Sequence, residues 1–252
     1  MSRNFRFIVL LFALIFPTLL TYIYFELLSG GSGDIQRFAY GFGKLFQFLI
    51  PLIWIFFIDY RHVCGGGGEV GEVVAGGRDV RWRLYYFFEG IGFGVFVFLA
   101  IIFLYYFYFG VFGGELAEGS RARKVIVSKI VEFGINDWRL FLLLGIFYSA
   151  IHSGLEEYYW RWFLFGRLRD ICGAGLSAII SGIGFSAHHI ILLNVFFGFD
   201  SILCPLGSLA IVVGGIYWAW LYQRSGNLYG AWLGHGIIDA AIFLIGYIIF
   251  SA

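Results

Sequence analysis

Seven stretches of this chain run on with almost no charge, near residues 7 to 28, 37 to 59, 84 to 110, 138 to 165, 175 to 197, 203 to 222 and 229 to 250. A bilayer core of about 30 Å is crossed by about 20 predominantly apolar residues of helix. Each stretch is therefore long enough to span a membrane. Inside lipid every backbone polar group must be satisfied internally, which leaves helices and closed barrels. A barrel would show segments of about ten residues with alternating polarity, and this chain shows continuous apolar runs. The expected fold is an all-α, polytopic transmembrane helical bundle of about seven to eight spans, the eighth allowing for a re-entrant segment.

Composition agrees: 60% of the residues are hydrophobic and 13% charged, with a mean hydropathy of +0.85. A soluble domain carries about 25% charged residues. An integral multi-pass protein of the plasma (cytoplasmic) membrane is expected. The first run follows Arg3 and Arg6 as a secretory signal would, but it continues through Phe25 without a small-residue cleavage site, so it reads as a first span. Net charge is +1, too little to neutralise a phosphate backbone, and no nucleic-acid partner is expected. Cys64, Cys172 and Cys204 stand far apart and suggest neither a disulfide scaffold nor a zinc knuckle.

Two segments break the apolar pattern. Residues 61–83 hold Gly65 to Gly68 among charges of both signs and read as a flexible loop, without the G-K-[ST] ending of a phosphate-binding loop. Residues 115–137 alternate Glu115, Glu118, Arg121, Arg123, Lys124, Lys129 and Glu132 with Val125, Ile126, Ile130 and Val131, an amphipathic segment suited to the interface. The chain thus divides into N-terminal spans, 1–137, and a second half, 138–252. With the N-terminus inside, Arg61, Arg81, Arg83, Arg167, Arg169 and Arg224 fall on the cytoplasmic side, while Arg121 to Lys129 fall outside, against the positive-inside tendency.

Charge inside a span costs about 2.5 to 3.5 kcal/mol even on the lenient insertion scale, so intramembrane ionisable groups are functional candidates. They gather in the second half. The first three spans hold scattered groups such as Glu26, Lys44 and Glu89, mostly toward their ends, where side chains can snorkel. In the fourth, Glu157 and Arg161 are four apart and can pair, leaving Glu156 on another face, unpaired and suited to general base work. A structural polar knot of Glu156, Glu157 and Arg161 near the headgroups is the alternative. In the fifth, Phe185 and His189 share a face, and the adjacent His188 and His189 point apart, so at most one is expected in a site. The seventh places His235 and Asp239 four apart.

The order Glu156-Glu157-x-x-x-Arg161, Phe185-x-x-x-His189, His235-x-x-x-Asp239 resembles the three motifs of the CPBP intramembrane protease family (the Abi family), which includes the CAAX prenyl endopeptidases. The resemblance covers roughly residues 150 to 240. It departs at Asp239, where the better-known prenyl-protein proteases carry Asn. It implies a glutamate-dependent peptidase with catalytic Glu156, His189, His235 and Asp239, supported by Glu157, Arg161 and Phe185, and with no metal or other cofactor. Glu156 and His189 would activate a water; His235 would face the oxyanion, and Asp239 would either join it as a neutral donor or orient His235, the role favoured here. The expected partners are the lipid bilayer and a membrane-associated protein or peptide substrate, cleaved in CAAX-type, leader or propeptide processing. Two other readings compete. A zinc hydrolase could use Glu156, His189, His235 and Asp239 as ligands, although no H-E-x-x-H is present. A non-enzymatic immunity, scaffold or proton-coupled protein could retain the same groups.

Overall fold

The computed structural model describes residues 3–28, 33–59, 80–109, 116, 118–132 and 134–251. Most of the glycine-rich stretch lies outside them, as does Glu115. Eight helical elements follow one another and no strand occurs among the described residues. Helix α1 is Arg3–Tyr22, continued by a π-helical turn at Ile23–Leu27; α2 is Gly33–Trp54, continued at Ile55–Asp59; α3 is Val80–Leu104, continued at Tyr105–Phe109. Helix α4 is Arg121–Glu132, α5 runs from Trp138 to Cys172, α6 is Ala174–Phe197, α7 is Leu203–Ser225 and α8 is Tyr229–Ser251. All but α4 are long and apolar enough to cross a membrane, which gives seven spans among the described residues, within the seven to eight expected. Their outer faces are aromatic and aliphatic: Phe38, Phe42, Leu99, Phe103 and Ile183 are exposed, as a lipid-facing surface requires.

The fourth span is longer than its hydropathy indicates, because Arg167 and Arg169 interrupt the apolar run without interrupting the helix. It stops at Gly173, whose φ of 79° lies where side-chain-bearing residues are strained, and which turns the chain into α6. Helix α5 is the hub. Its Tyr159, Trp160, Phe163 and Leu164 are buried against Leu10 and Ala13 of α1, Ile50 and Trp54 of α2, Phe185 of α6 and Trp218 of α7. Tyr159 Oη donates to the Ala13 carbonyl at 2.6 Å, so α1 is tied to α5 by a hydrogen bond as well as by packing.

Helices α3 and α8 cross at backbone contact. Gly90 and Gly94 face Gly230 and Gly234: a Cβ at Gly94 would sit 2.6 Å from the Gly234 carbonyl oxygen, and one at Gly234 2.5 Å from that of Gly90. Two G-x-x-x-G faces meeting in this way let polar backbone and van der Waals packing replace the hydrophobic drive that lipid removes. The contact fixes the height of α8, and with it His235.

The amphipathic segment forms α4, which buries Ala122 and Ile130 and leaves Val131 exposed. Arg37 at the start of α2 donates to the Glu132 carbonyl at 2.7 Å. At the opposite end of α2, Asp59 pairs with Arg167 at 2.6 Å, which puts the end of α2 and the end of α5 on one side of the bundle.

Candidate active site

Glu156 and Glu157 lie on a single turn of α-helix, Ser153–Glu157, between two π-helical stretches, Phe147–His152 and Tyr158–Phe165. π-turns insert a residue into the helix and recur at functional sites. Here the altered register accompanies an inward-facing polar set, His152, Glu156, Glu157 and Arg161, in a span whose other face meets lipid. Trp232 of α8 braces the first π stretch by donating Nε1–H to the Ala150 carbonyl at 2.7 Å. Ser153 closes it internally through a bond to the Ser149 carbonyl at 2.7 Å.

The two carboxylates have different surroundings. Glu157 is fully buried and tightly held: Oε2 lies 3.1 Å from Arg161 Nε, as the spacing predicts, and Oε1 lies 2.8 Å from His235 Nδ1. The Arg161 guanidinium, also fully buried, stands 4.5 Å from the centre of the Phe185 ring and 5.1 Å from that of Trp218. Aromatic faces of this kind stabilise a cation where water does not reach. Phe185 therefore supports the site through Arg161 as well as through its edge contact with the His235 ring.

Glu156 is surrounded at longer range. Oε1 lies 3.4 Å from His188 Nε2, 3.5 Å from His152 Nε2 and 3.9 Å from Lys44 Nζ, and Oε2 lies 3.8 Å from His235 Nε2. The sequence left it unpaired; in the structure basic groups from four helices stand within ion-pair distance, though none makes a short bond. Lys44 is a correction to the sequence reading: it does not snorkel, but turns inward from α2, its ammonium between the rings of Tyr40 and Phe48.

The seven residues named from sequence come together here, with one reassignment. His235 is oriented by Glu157 rather than by Asp239. Facing a carboxylate acceptor at 2.8 Å, Nδ1 donates its N–H to Glu157, and Nε2 faces Glu156 and, at 3.7 Å, Asp239. Periodicity within α8 could not reveal an acceptor on another helix. His189 Nδ1 lies 2.9 Å from the Phe185 carbonyl and donates to it, so in the neutral ring Nε2 carries the lone pair.

The expectation that only one of the paired histidines enters the site fails. Ligand atoms of Glu156, His188 and His189 all lie within 4.8 Å of one another, so this trio could hold a metal ion. Side chains one residue apart on a helix diverge by about 100°, but both imidazoles are long enough to swing back toward a carboxylate lying between their directions. Trp218 was not legible at all: it stacks on His235 at 4.5 Å, and nothing distinguishes it from other aromatics of α7 in sequence.

Comparison with known families gives a match. The pattern of the type II CAAX prenyl endopeptidases, Rce1-like, covers residues 138–241, from the start of α5 to just beyond Asp239. No curated protein and no solved structure matches the chain. The match contains all three motifs and leaves α1 to α4 outside it. Over residues 138–241 the chain thus matches the Rce1-like family, whose members are intramembrane proteases, and it is an integral, multi-pass membrane protease with a membrane-associated substrate.

Proposed function

We propose that this protease cleaves a peptide bond in the C-terminal region or leader of a membrane-anchored protein, in the plasma membrane, by a water activated between Glu156 and His189. The observation that carries the proposal is the position of Glu156. It is a buried carboxylate without a short bond of its own, beside an imidazole whose free lone pair is fixed by the Phe185 carbonyl. A water donating one hydrogen to the Glu156 carboxylate and the other to His189 Nε2 directs an oxygen lone pair at the scissile carbon. Attack forms the C–O bond as Glu156 takes a proton; collapse breaks the C–N bond as that proton passes to the leaving nitrogen. General base and acid steps of this kind contribute about 10²- to 10⁴-fold. Glu157 and Arg161 hold His235 in place from behind.

A groove of about 550 Å³ supports a lipid-modified or otherwise apolar substrate. It opens between α3, α5 and α8, is walled by Phe98, Trp138, Phe141, Phe243 and Tyr247, and reaches Ser149 and Ala240, the neighbours in sequence of Tyr148 and Asp239. A prenylated C-a-a-X tail fits this description, as does an apolar leader. The test is terminal-peptide mass analysis of membranes incubated with the purified protein or with its Glu156→Gln variant. New termini that need Glu156 name the cleavage site; identical termini with both proteins overturn the reading.

The trio Glu156, His188 and His189 favours one second reading, a metal-assisted hydrolase. Stoichiometric metal in the purified protein, with activity lost on chelation and regained on its return, would put that reading first. Undiminished activity under strong chelation would remove it.

A further inference from the structure

We propose that Lys44, contributed by α2 from outside the family match, is the oxyanion donor of this protease. The inference rests on the water-activating role of Glu156. A tetrahedral intermediate carries the former water oxygen and the former carbonyl oxygen on one carbon, so the donor for the second must stand beside the acceptor for the first. Lys44 Nζ stands 3.9 Å from Glu156 Oε1, close enough to share a substrate atom and too far to spend its N–H groups on the carboxylate.

Five of the other groups at the site are committed or ill suited. His235 gives its Nδ1–H to Glu157, and His189 gives its own to the Phe185 carbonyl. Arg161 is fully buried behind Phe185 and Trp218 and pairs with Glu157. Asp239 stands where the familiar motif has Asn, a neutral donor, and an ionised carboxylate would repel the developing charge. His188 has its ring stacked on Trp160 and is almost inaccessible. The Lys44 side chain makes no hydrogen bond among the described residues, keeps 13% of its surface accessible, and as an ammonium offers three donors. Tyr40 and Phe48, one turn to either side, hold the ammonium in the interior of the Ile35–Asp59 span.

In the step proposed, the C=O π pair moves onto oxygen as the water oxygen bonds to carbon and its proton goes to Glu156. Lys44 donates a hydrogen bond to that oxygen without giving up a proton, and the pair returns when the C–N bond breaks. A cation fixed where negative charge develops, away from water, is worth more in the transition state than in the ground state.

The test is a single-turnover assay with purified protein in excess over membranes prepared from cells lacking it, following the appearance of new peptide termini as protein concentration is raised. The plateau rate reads the chemical step, and the half-saturating concentration reads binding. Lys44→Met, which keeps length and apolar packing, is expected to lower the plateau about 10²- to 10³-fold. Half-saturation should move less than about threefold, because uniform binding is not what the donor supplies. Lys44→Arg should exceed Lys44→Gln by tenfold or more in the plateau, and this pair decides the matter if the Met variant does not fold. A wild-type plateau in Lys44→Met, a change confined to half-saturation, or equal rates for Arg and Gln would overturn the proposal while an inactive Glu156→Gln left the broader reading standing. No new termini with the wild-type protein would remove both.

Discussion

Glu156 and Glu157 are neighbours in the chain and occupy two different compartments. Around Glu157 every contact is short: 2.8 Å to His235 and 3.1 Å to Arg161, with both pair members of α5 fully buried and the guanidinium closed in by Phe185 and Trp218. Around Glu156 no basic nitrogen comes closer than 3.4 Å, although Lys44, His152, His188 and His235 all face it. Short contacts to fixed partners hold a structure in one state. Longer ones leave a carboxylate hydrogen-bonding capacity for a reacting water. One carboxylate is therefore held by fixed partners, and the other is the one to which the proposed function assigns the chemistry.

The strongest way to break this contrast is to remove the charge from each carboxylate separately. Glu156→Gln is expected to lose about 10²- to 10⁴-fold or more in cleavage rate, with a thermal midpoint close to wild type, measured by single-turnover cleavage and by unfolding in the same detergent. Wild-type turnover in a folded Glu156→Gln protein would erase the distinction from the active side. Arg161→Met leaves Glu157 as a buried charge without its cation, and stranding one member of a buried pair costs about 3 to 5 kcal/mol. The expected result is a large fall in thermal midpoint and yield; a stable Arg161→Met protein that is merely slow would show that Glu157 belongs to the chemistry instead.

Smaller effects sharpen the comparison. Gly94→Leu forces a side chain into the Gly234 carbonyl and should separate α3 from α8, displacing His235 from Glu157. Overpacking of this kind costs about 1 to 3 kcal/mol. Midpoint and rate should fall together, and a fall in midpoint alone would place the site out of reach of this contact. Asp239→Asn should change the rate less than about tenfold, since Glu157 already sets the His235 ring and the 3.7 Å Asp239 contact is beyond a hydrogen bond. A much larger loss would restore Asp239 as the orienting group. Least of all, Asp59→Asn breaks a partly exposed pair with Arg167 and should cost about 0 to 1 kcal/mol in the thermal midpoint, without a change in rate.

The approximate number and placing of the spans were legible in the sequence alone, because the bilayer imposes one length and one polarity on every crossing element, and an apolar run such as 203–222 or 229–250 needs no partner to be read. The pair Glu157 and Arg161 was legible for a similar reason: residues four apart on a helix are neighbours whatever surrounds them. Three motifs in order indicated the catalytic half. What the sequence could not express was any relation between helices. His235 and Asp239 share a face of α8, yet the hydrogen bond goes 78 positions away in the chain, to Glu157. The π stretches beside Glu156 have no residue signature, so the convergence of His188 and His189 on one carboxylate depended on backbone register and packing. Lys44 reads as one charge in an apolar span, and its sequence is the same whether it reaches for the headgroups or for the site. Only the packing of α2 on α5 decides, by bringing the ammonium beside Glu156, where an opposite charge offsets the cost of leaving water.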